Sequence, residues 1–79
     1  MKLEVRLFAT FRDYLPPSAG TFSFTGDFAE KTTVRDVFGE LRLPEHVPKI
    51  IIVNGVHAEP DLVLKDGDVL SLFPPIAGG

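Results

Sequence analysis

The opening segment, Lys2 to Phe8, alternates polar and apolar side chains with a period of two. This pattern is typical of a β-strand that is covered on one face only. It places Leu3, Val5 and Leu7 on the covered face. Phe8 then falls on the opposite, polar face, where an aromatic ring is unusual unless something covers it.

A second alternating segment, Thr21 to Thr25, follows a proline- and glycine-containing stretch, residues 15–20. Proline fixes φ and removes an N–H donor, and glycine permits positive φ, so this stretch is predicted to reverse the chain. The two alternating segments therefore predict an antiparallel hairpin, with Phe22 and Phe24 buried.

The hydrophobic period then changes to that of a helix, with one apolar face made of Val34, Val37, Phe38 and Leu41. Thr33 is a suitable N-cap. Asp36 favours the helix N-terminus electrostatically, although a capping box prefers Glu or Gln at its position. Pro44 is predicted to end this helix or to lie just past its end.

Two further strands follow the helix. Ile50 to Val53 is β-branched and apolar on both faces, which predicts a buried strand. Asn54-Gly55 allows a tight reversal into a weak edge strand, residues 56–59.

The last strand is Val69 to Phe73, which follows a turn at Asp66-Gly67-Asp68. Its alternation places Leu70 and Leu72 on one face and Phe73 on the other.

The element order, ββαββ, predicts an α+β fold of the β-grasp type. In this arrangement the first and last strands lie side by side and parallel within a mixed sheet, with one main helix packed on one face. Phe8 and Phe73 would then be neighbours on the face away from the helix. Such a pair serves either as a docking patch or as a small cluster covered by a loop.

The composition limits the architecture and the chemistry. A chain of 79 residues makes one small domain, which we place at residues 1–75, with a flexible tail at 76–79. The absence of cysteine excludes disulfides, a thiol nucleophile and zinc–thiolate or iron–sulfur sites. His46 and His57 are isolated and lack ligating neighbours, so no metal site is predicted.

Charge and hydropathy point away from nucleic acid and membrane partners. The net charge is −3, and lysine and arginine are scattered along the chain rather than clustered. The longest aliphatic run, Ile50 to Val53, is too short to cross a bilayer. We therefore expect a cytoplasmic protein whose partners are other proteins.

The chain ends in the stretch FPPIAGG, which runs from Phe73 to Gly79. The two prolines favour an extended backbone that cannot donate hydrogen bonds back to the sheet, and the two glycines can enter a narrow channel. The four residues after Pro75 reach only about 14 Å at ~3.5 Å per residue, so the domain itself must dock close to its target. A frayed end, or protection of a sheet edge, is the alternative explanation.

Four stretches resemble the MoaD/ThiS family of ubiquitin-like sulfur carriers, and within it most closely the MoaD branch, the small subunits of molybdopterin synthase. These stretches are residues 7–13, 33–37, 52–55 and the ending from Asp66-Gly67-Asp68 through Phe73-Pro74-Pro75 to Gly78-Gly79. The ending is the most specific of the four. The resemblance implies a ubiquitin-like β-grasp domain that acts as a cosubstrate rather than as an enzyme.

The same resemblance implies that the carboxylate of Gly79, beside Gly78, is adenylated with ATP inside a ubiquitin-activating-type partner (MoeB/ThiF-like) and then becomes a thiocarboxylate. No cofactor would be bound permanently. The implied acceptor is a molybdopterin synthase large subunit (MoaE-like) or a thiazole synthase. The residues expected to contact partners are Phe8, Phe73, Pro74, Pro75 and Ile76.

Three functions remain open at this point. The first is sulfur donation in molybdenum or tungsten cofactor biosynthesis. The second is sulfur donation to thiazole or another metabolite. The third is a ubiquitin-like modifier, in which Gly79 forms an isopeptide bond with a target lysine.

Overall fold

The computed structural model describes residues 1–75, which form one five-stranded mixed sheet and one α-helix. The elements in chain order are β1 (Lys2–Leu7), a 3₁₀ helix (Ala9–Tyr14), β2 (Ser23–Asp27), α1 (Val34–Leu41), β3 (Ile50–Val53), β4 (Val56–His57) and β5 (Val69–Phe73). The strand order is β2-β1-β5-β3-β4. Only the β1–β5 pair is parallel among these strands. The predicted β-grasp topology is therefore confirmed.

The core lies between one face of the sheet and α1. Leu3, Val5 and Leu7 have no exposed surface, as their alternation predicts. Leu70 and Leu72 lie beside β1 in parallel register and are equally buried. The helix contributes its apolar face to the same cluster through Val34, Val37 and Phe38.

The ends of α1 follow from local chemistry. The Thr33 hydroxyl accepts a hydrogen bond from the Asp36 N–H at 3.1 Å, and the Asp36 carboxylate accepts one from the Thr33 N–H at 2.9 Å. Asp36 thus completes the capping box despite its short side chain, and the bond from the Thr33 N–H lowers the pKa of the Asp36 carboxyl. The helix ends at Leu41. The next residue, Arg42, adopts a left-handed backbone conformation with φ 62°, and Pro44 lies just past the end of the helix.

The second strand was predicted two residues too early. It runs from Ser23 to Asp27 rather than from Thr21 to Thr25. Phe24 packs partly buried against the core, but Phe22 lies before the strand begins and is 40% exposed. The prediction that Phe22 is buried is therefore wrong.

Other elements differ from expectation in extent. A 3₁₀ helix at Ala9–Tyr14, which the alternation does not indicate, buries Phe11 in the core. The edge strand β4 stops at His57, before residues 58 and 59. Ile50 begins β3 but is 38% exposed, so this strand is not buried along its whole length.

Gly39→Ala is expected to raise the free energy of unfolding by about 0.5–1 kcal/mol, because alanine restricts the unfolded chain and favours the helix. Gly39 is an exposed position within α1, and an added Cβ would meet nothing within 4 Å. Urea denaturation measures the change.

Gly55→Ala is the matched control. Its Cβ would also meet nothing within 4 Å, but Gly55 has φ +85°. Alanine is strained in that left-handed conformation, so this substitution should lower the stability. Equal effects of the two substitutions would contradict the conformational argument.

Candidate functional site

Two aromatic rings meet on the sheet face opposite α1. Leu7 and Leu72 are register partners in the parallel β1–β5 pair, so the residues that follow them, Phe8 and Phe73, become neighbours. Their ring centroids are 4.3 Å apart and the ring planes differ by 5°. The predicted proximity of Phe8 and Phe73 is confirmed.

Phe22 adds a third ring to this pair. The Phe22 carbonyl accepts a hydrogen bond from the Leu7 N–H at 2.8 Å, which holds the chain beside the end of β1. The Phe22 ring lies 5.4 Å from that of Phe8, centroid to centroid, at an interplanar angle of 29°. We call Phe8, Phe22 and Phe73 the aromatic cluster.

Phe22 was predicted to be buried because its spacing from Phe24 suggests one shared strand face. The actual start of β2 at Ser23 breaks that alternation. The only sequence feature that hints at this is the closeness of Phe22 to the turn at residues 15–20. A bend in the chain next to a turn can rotate a side chain off the face that strict alternation assigns to it.

Ile50 extends the apolar surface to the next strand. It is the register partner of Phe73 in the antiparallel β3–β5 pair, and it is 38% exposed. Aromatic side chains are enriched at the centre of protein interfaces, where surrounding apolar contacts help to exclude water. The arrangement can therefore dock another protein, but it contains no group that could catalyse a reaction.

The chain leaves the sheet directly from this surface. The pairing of β5 ends at Phe73, and the next residues, Pro74 and Pro75, have no N–H with which to extend it. Pro74 is half-buried and Pro75 is exposed. Ile76, Gly78 and Gly79, the other predicted site residues, lie outside the described residues.

The Asp66-Gly67-Asp68 segment is a structural turn. The Asp66 carboxylate accepts a hydrogen bond from the Lys2 N–H at 2.7 Å, and Gly67 has φ 87°. The Asp68 carboxylate accepts from the Lys65 N–H and from the Asn54 side-chain amide, each at 2.8 Å. These bonds join the turn to β1 and to the β3–β4 reversal.

Lys49 is likewise occupied within the fold. Its ammonium group donates to the carbonyls of Pro44 and Val47, at 2.6 and 2.8 Å, and lies 4.7 Å above the Phe38 ring. Partial burial lowers the pKa of Lys49. The side chain therefore closes the turn after α1 and is poorly placed to bind a partner.

The remaining polar candidates do not assemble into a site. His46 and His57 are both exposed; His46 lies in the segment between α1 and β3, and His57 lies in β4. Within residues 1–75, no three His, Asp or Glu side chains are grouped so that they could hold a metal ion. Over the same residues, no helix is long and apolar enough to span a membrane.

Comparisons with known proteins agree with this geometry. The model of the ThiS family matches residues 5–79. Small archaeal modifier protein 3 of Haloferax volcanii is 34% identical over an alignment that covers 100% of both chains.

Two solved structures are similar over nearly the whole chain. A Pyrococcus furiosus protein assigned as molybdopterin converting factor, subunit 1, is 32% identical with a TM-score of 0.74, over 95% of this chain and 98% of its own. A chain from the Helicobacter pylori complex of subunits 1 and 2 of molybdopterin-converting factor is 27% identical with a TM-score of 0.62, over 100% of both chains. The relatives thus include a small archaeal modifier protein as well as subunits of molybdopterin-converting factor.

Proposed function

Since this chain belongs to the ThiS family of ubiquitin-like sulfur carriers and modifiers, we propose that it carries sulfur on its C-terminal Gly79 for molybdopterin biosynthesis in the cytoplasm. Members of this family are small carrier subunits rather than catalysts. The single observation that supports docking most directly is the aromatic cluster, which lies where the Pro74-Pro75 arm leaves the sheet.

The chemistry begins with the Gly79 carboxylate, which is ionised at neutral pH and is therefore a poor electrophile. Inside a ubiquitin-activating-type partner, a carboxylate oxygen attacks the α-phosphorus of ATP and pyrophosphate leaves. Hydrosulfide then attacks the acyl carbon, AMP leaves, and loss of the sulfur-bound proton produces the thiocarboxylate. The chain itself supplies the acyl group and the surface that positions it.

The domain contributes position rather than catalysis. The core ends at Leu72, which has no exposed surface, and the half-buried Pro74 restricts the backbone directly after the sheet. Because the arm starts from a fixed point on the sheet, it has less conformational freedom to lose when it binds. The aromatic cluster fixes the partner within one arm's length of Gly78 and Gly79, and Ile76 lies on that arm.

The molybdopterin assignment is supported by the two similar structures, both of which are described as molybdopterin-converting-factor proteins. The second of them lies in a complex with a second subunit. By analogy, the proposed acceptor of the sulfur is a large subunit of the MoaE type. Delivery to a thiazole synthase is the related alternative within the same family.

A protein-modifier function is the second candidate, and a specific observation favours it. The relative at 34% identity over the full length of both chains is named a small archaeal modifier protein. In that case a lysine amine would attack the activated Gly79 carbonyl and form an isopeptide bond. Both functions share the adenylation step.

Intact-mass analysis of the chain purified from its native cells tests the proposal. The carrier function predicts a form in which one oxygen is replaced by sulfur, and treatment with a thiol-alkylating reagent should label that form. The modifier function predicts covalent conjugates instead. Absence of both forms would contradict the proposed use of Gly79, and co-purification with a pterin- or a thiazole-forming partner distinguishes the two acceptors.

A further inference from the structure

The β3–β4 reversal contains the residues of a covalent modification site. Asn54 is followed by Gly55, and it is the single asparagine of a chain that has no glutamine. The side-chain amide of an asparagine can be attacked by the backbone nitrogen of the residue that follows it. Glycine hinders this attack least, because it has no Cβ. Any loss of a side-chain amide from this chain must therefore occur at Asn54.

The reversal is open to water. Asn54 and Gly55 are both exposed, and their φ angles are 51° and 85°. Both residues thus have the left-handed backbone that is typical of a two-residue hairpin loop. Water can reach the Asn54 side chain without any movement of the core.

Three hydrogen bonds hold Asn54 against the start of β5. Its N–H donates to the Val69 carbonyl, and its Oδ1 accepts from the Val69 N–H, each at 2.9 Å. Its Nδ2 donates to the Asp68 carboxylate at 2.8 Å. The side-chain amide is therefore fixed at both ends, and the bond to the ionised acceptor is the stronger type.

These bonds oppose the reaction while the reversal is closed. Cyclisation requires the Asn54 Cγ to come within roughly 3–3.5 Å of the Gly55 nitrogen in an aligned approach. A side chain fixed at two points has lost most of the rotation that this approach requires. Local opening, which breaks the bonds to Asp68 and Val69, restores that rotation.

We propose that Asn54 is a site of spontaneous deamidation, and that opening of its hydrogen bonds to Asp68 and Val69 sets the rate. In the open form the Gly55 nitrogen loses its proton to water and attacks the Asn54 Cγ. The Cγ–Nδ2 bond breaks, and the nitrogen takes up a proton and leaves as ammonia. Water then opens the cyclic succinimide at either carbonyl, which gives aspartate or isoaspartate. Overall one water is consumed and one ammonia is released, without an oxidant or a reductant.

Either product weakens the attachment to β5. The Val69 N–H only donates and the Asp68 carboxylate only accepts, so this position needs a group that does both, as an amide does. A carboxylate can still accept from Val69, but it faces Asp68 as a like charge. Isoaspartate also adds a methylene to the main chain, inside the reversal that pairs Val53 with Val56. The deamidated chain should therefore be less stable.

Timed incubation of the full chain at neutral pH tests the site. Each event replaces an amide by an acid, so it raises the mass and adds one negative charge, which intact-mass analysis and isoelectric focusing detect. The native chain should deamidate at least about tenfold more slowly than the chain unfolded in urea, because the bonds must open first. Asp66-Gly67 can also form isoaspartate, but without a change of mass, and peptide mapping separates the two sites.

Two substitutions in one turn separate the Asn54 bond from general loosening. Asp68→Ala removes the acceptor of the Asn54 amide and should raise the rate by about tenfold over the wild type. Asp68→Asn keeps an acceptor without the charge, so its rate should lie between the two. Asp66→Ala is the matched control. The Asp66 carboxylate accepts from the Lys2 N–H rather than from Asn54, and its loss should change the rate by less than about twofold.

The outcomes decide the proposal whether or not Gly79 carries sulfur. Equal rates in the native and unfolded chains would show that the bonds give no protection, and no product in the native chain would show that the reversal does not open. Either result overturns the proposal. Equal acceleration by Asp68→Ala and Asp66→Ala would also overturn it, and urea denaturation of each variant supplies the stabilities for that comparison. Asn54→Asp should unfold at a lower urea concentration than the wild type, and an equal midpoint would contradict the expected cost of the product.

Discussion

Deletion of Gly79 is expected to abolish adenylation of the chain while leaving its melting temperature unchanged. The deletion withdraws the reactive carboxylate by about 3.5 Å, the length of one extended residue. Reacting atoms must approach within roughly 3–3.5 Å, and a misplacement of only ~1 Å can cost about a hundredfold in rate. ATP–pyrophosphate exchange with the activating protein should therefore fall by at least about a hundredfold.

Stability should not change, because the core lies elsewhere. Within residues 1–75, all of the buried hydrophobic residues lie between Leu3 and Leu72, and Pro75, the last described residue, is exposed. Gly79→Leu should have the same effect on exchange, since its side chain would not fit a channel shaped for glycine. Gly39→Leu is the matched control, at an exposed helix position with open space around it, and it should leave exchange intact. Unfolding of the Gly79 deletion variant would show that the end of the chain belongs to the core.

Alternation and period were sufficient to predict most of the sheet. Leu3, Val5 and Leu7 are fully buried because the core side of β1 is continuous, so parity alone decides which side chains face the helix. The same parity, combined with the parallel pairing of β1 and β5, was enough to bring Phe8 next to Phe73. Both results follow from the regular alternation of side chains along β1 and β5.

The missed features depend on where regular structure stops. The exposure of Phe22 was not predicted because β2 begins one residue after it. The burial of Phe11 was not predicted because a 3₁₀ helix, rather than strand alternation, buries it. The early end of β4 at His57 was likewise not predicted. Ends of elements are decided by a few competing hydrogen bonds and side-chain contacts, which sequence patterns specify weakly. In this protein the apolar surface available to partners is concentrated at such ends.

The position of the aromatic cluster relative to the core explains how docking and folding can be separated by mutation. Leu72 packs into the core and Phe73, its neighbour in β5, packs on the opposite face against Phe8. A substitution at Phe73 therefore removes ring stacking and part of the proposed docking surface, whereas one at Leu72 would remove core volume.

Phe73→Asp is expected to weaken binding to the activating protein by at least about thirtyfold, which corresponds to roughly 2 kcal/mol. The physical reason is that an ionised carboxylate would be dehydrated at the centre of an apolar contact, beside Phe8 and Ile50. The loss of folding stability should be smaller, near the ~0.5–1.5 kcal/mol of an aromatic pair, because Phe73 is only partly buried. Calorimetric titration and urea denaturation measure the two quantities on the same protein.

Val69→Asp provides the matched control for this substitution. Val69 lies on the same strand and the same face, is also partly buried, and stands at the other end of β5. At ~3.3 Å per residue it is about 13 Å from Phe73 along the strand, outside the aromatic cluster. It should lower stability to a similar extent but leave the affinity nearly unchanged. Equal losses of affinity would mean that the whole sheet face, rather than the aromatic cluster beside the arm, determines docking; a collapse of stability in Phe73→Asp alone would instead assign that ring to the core.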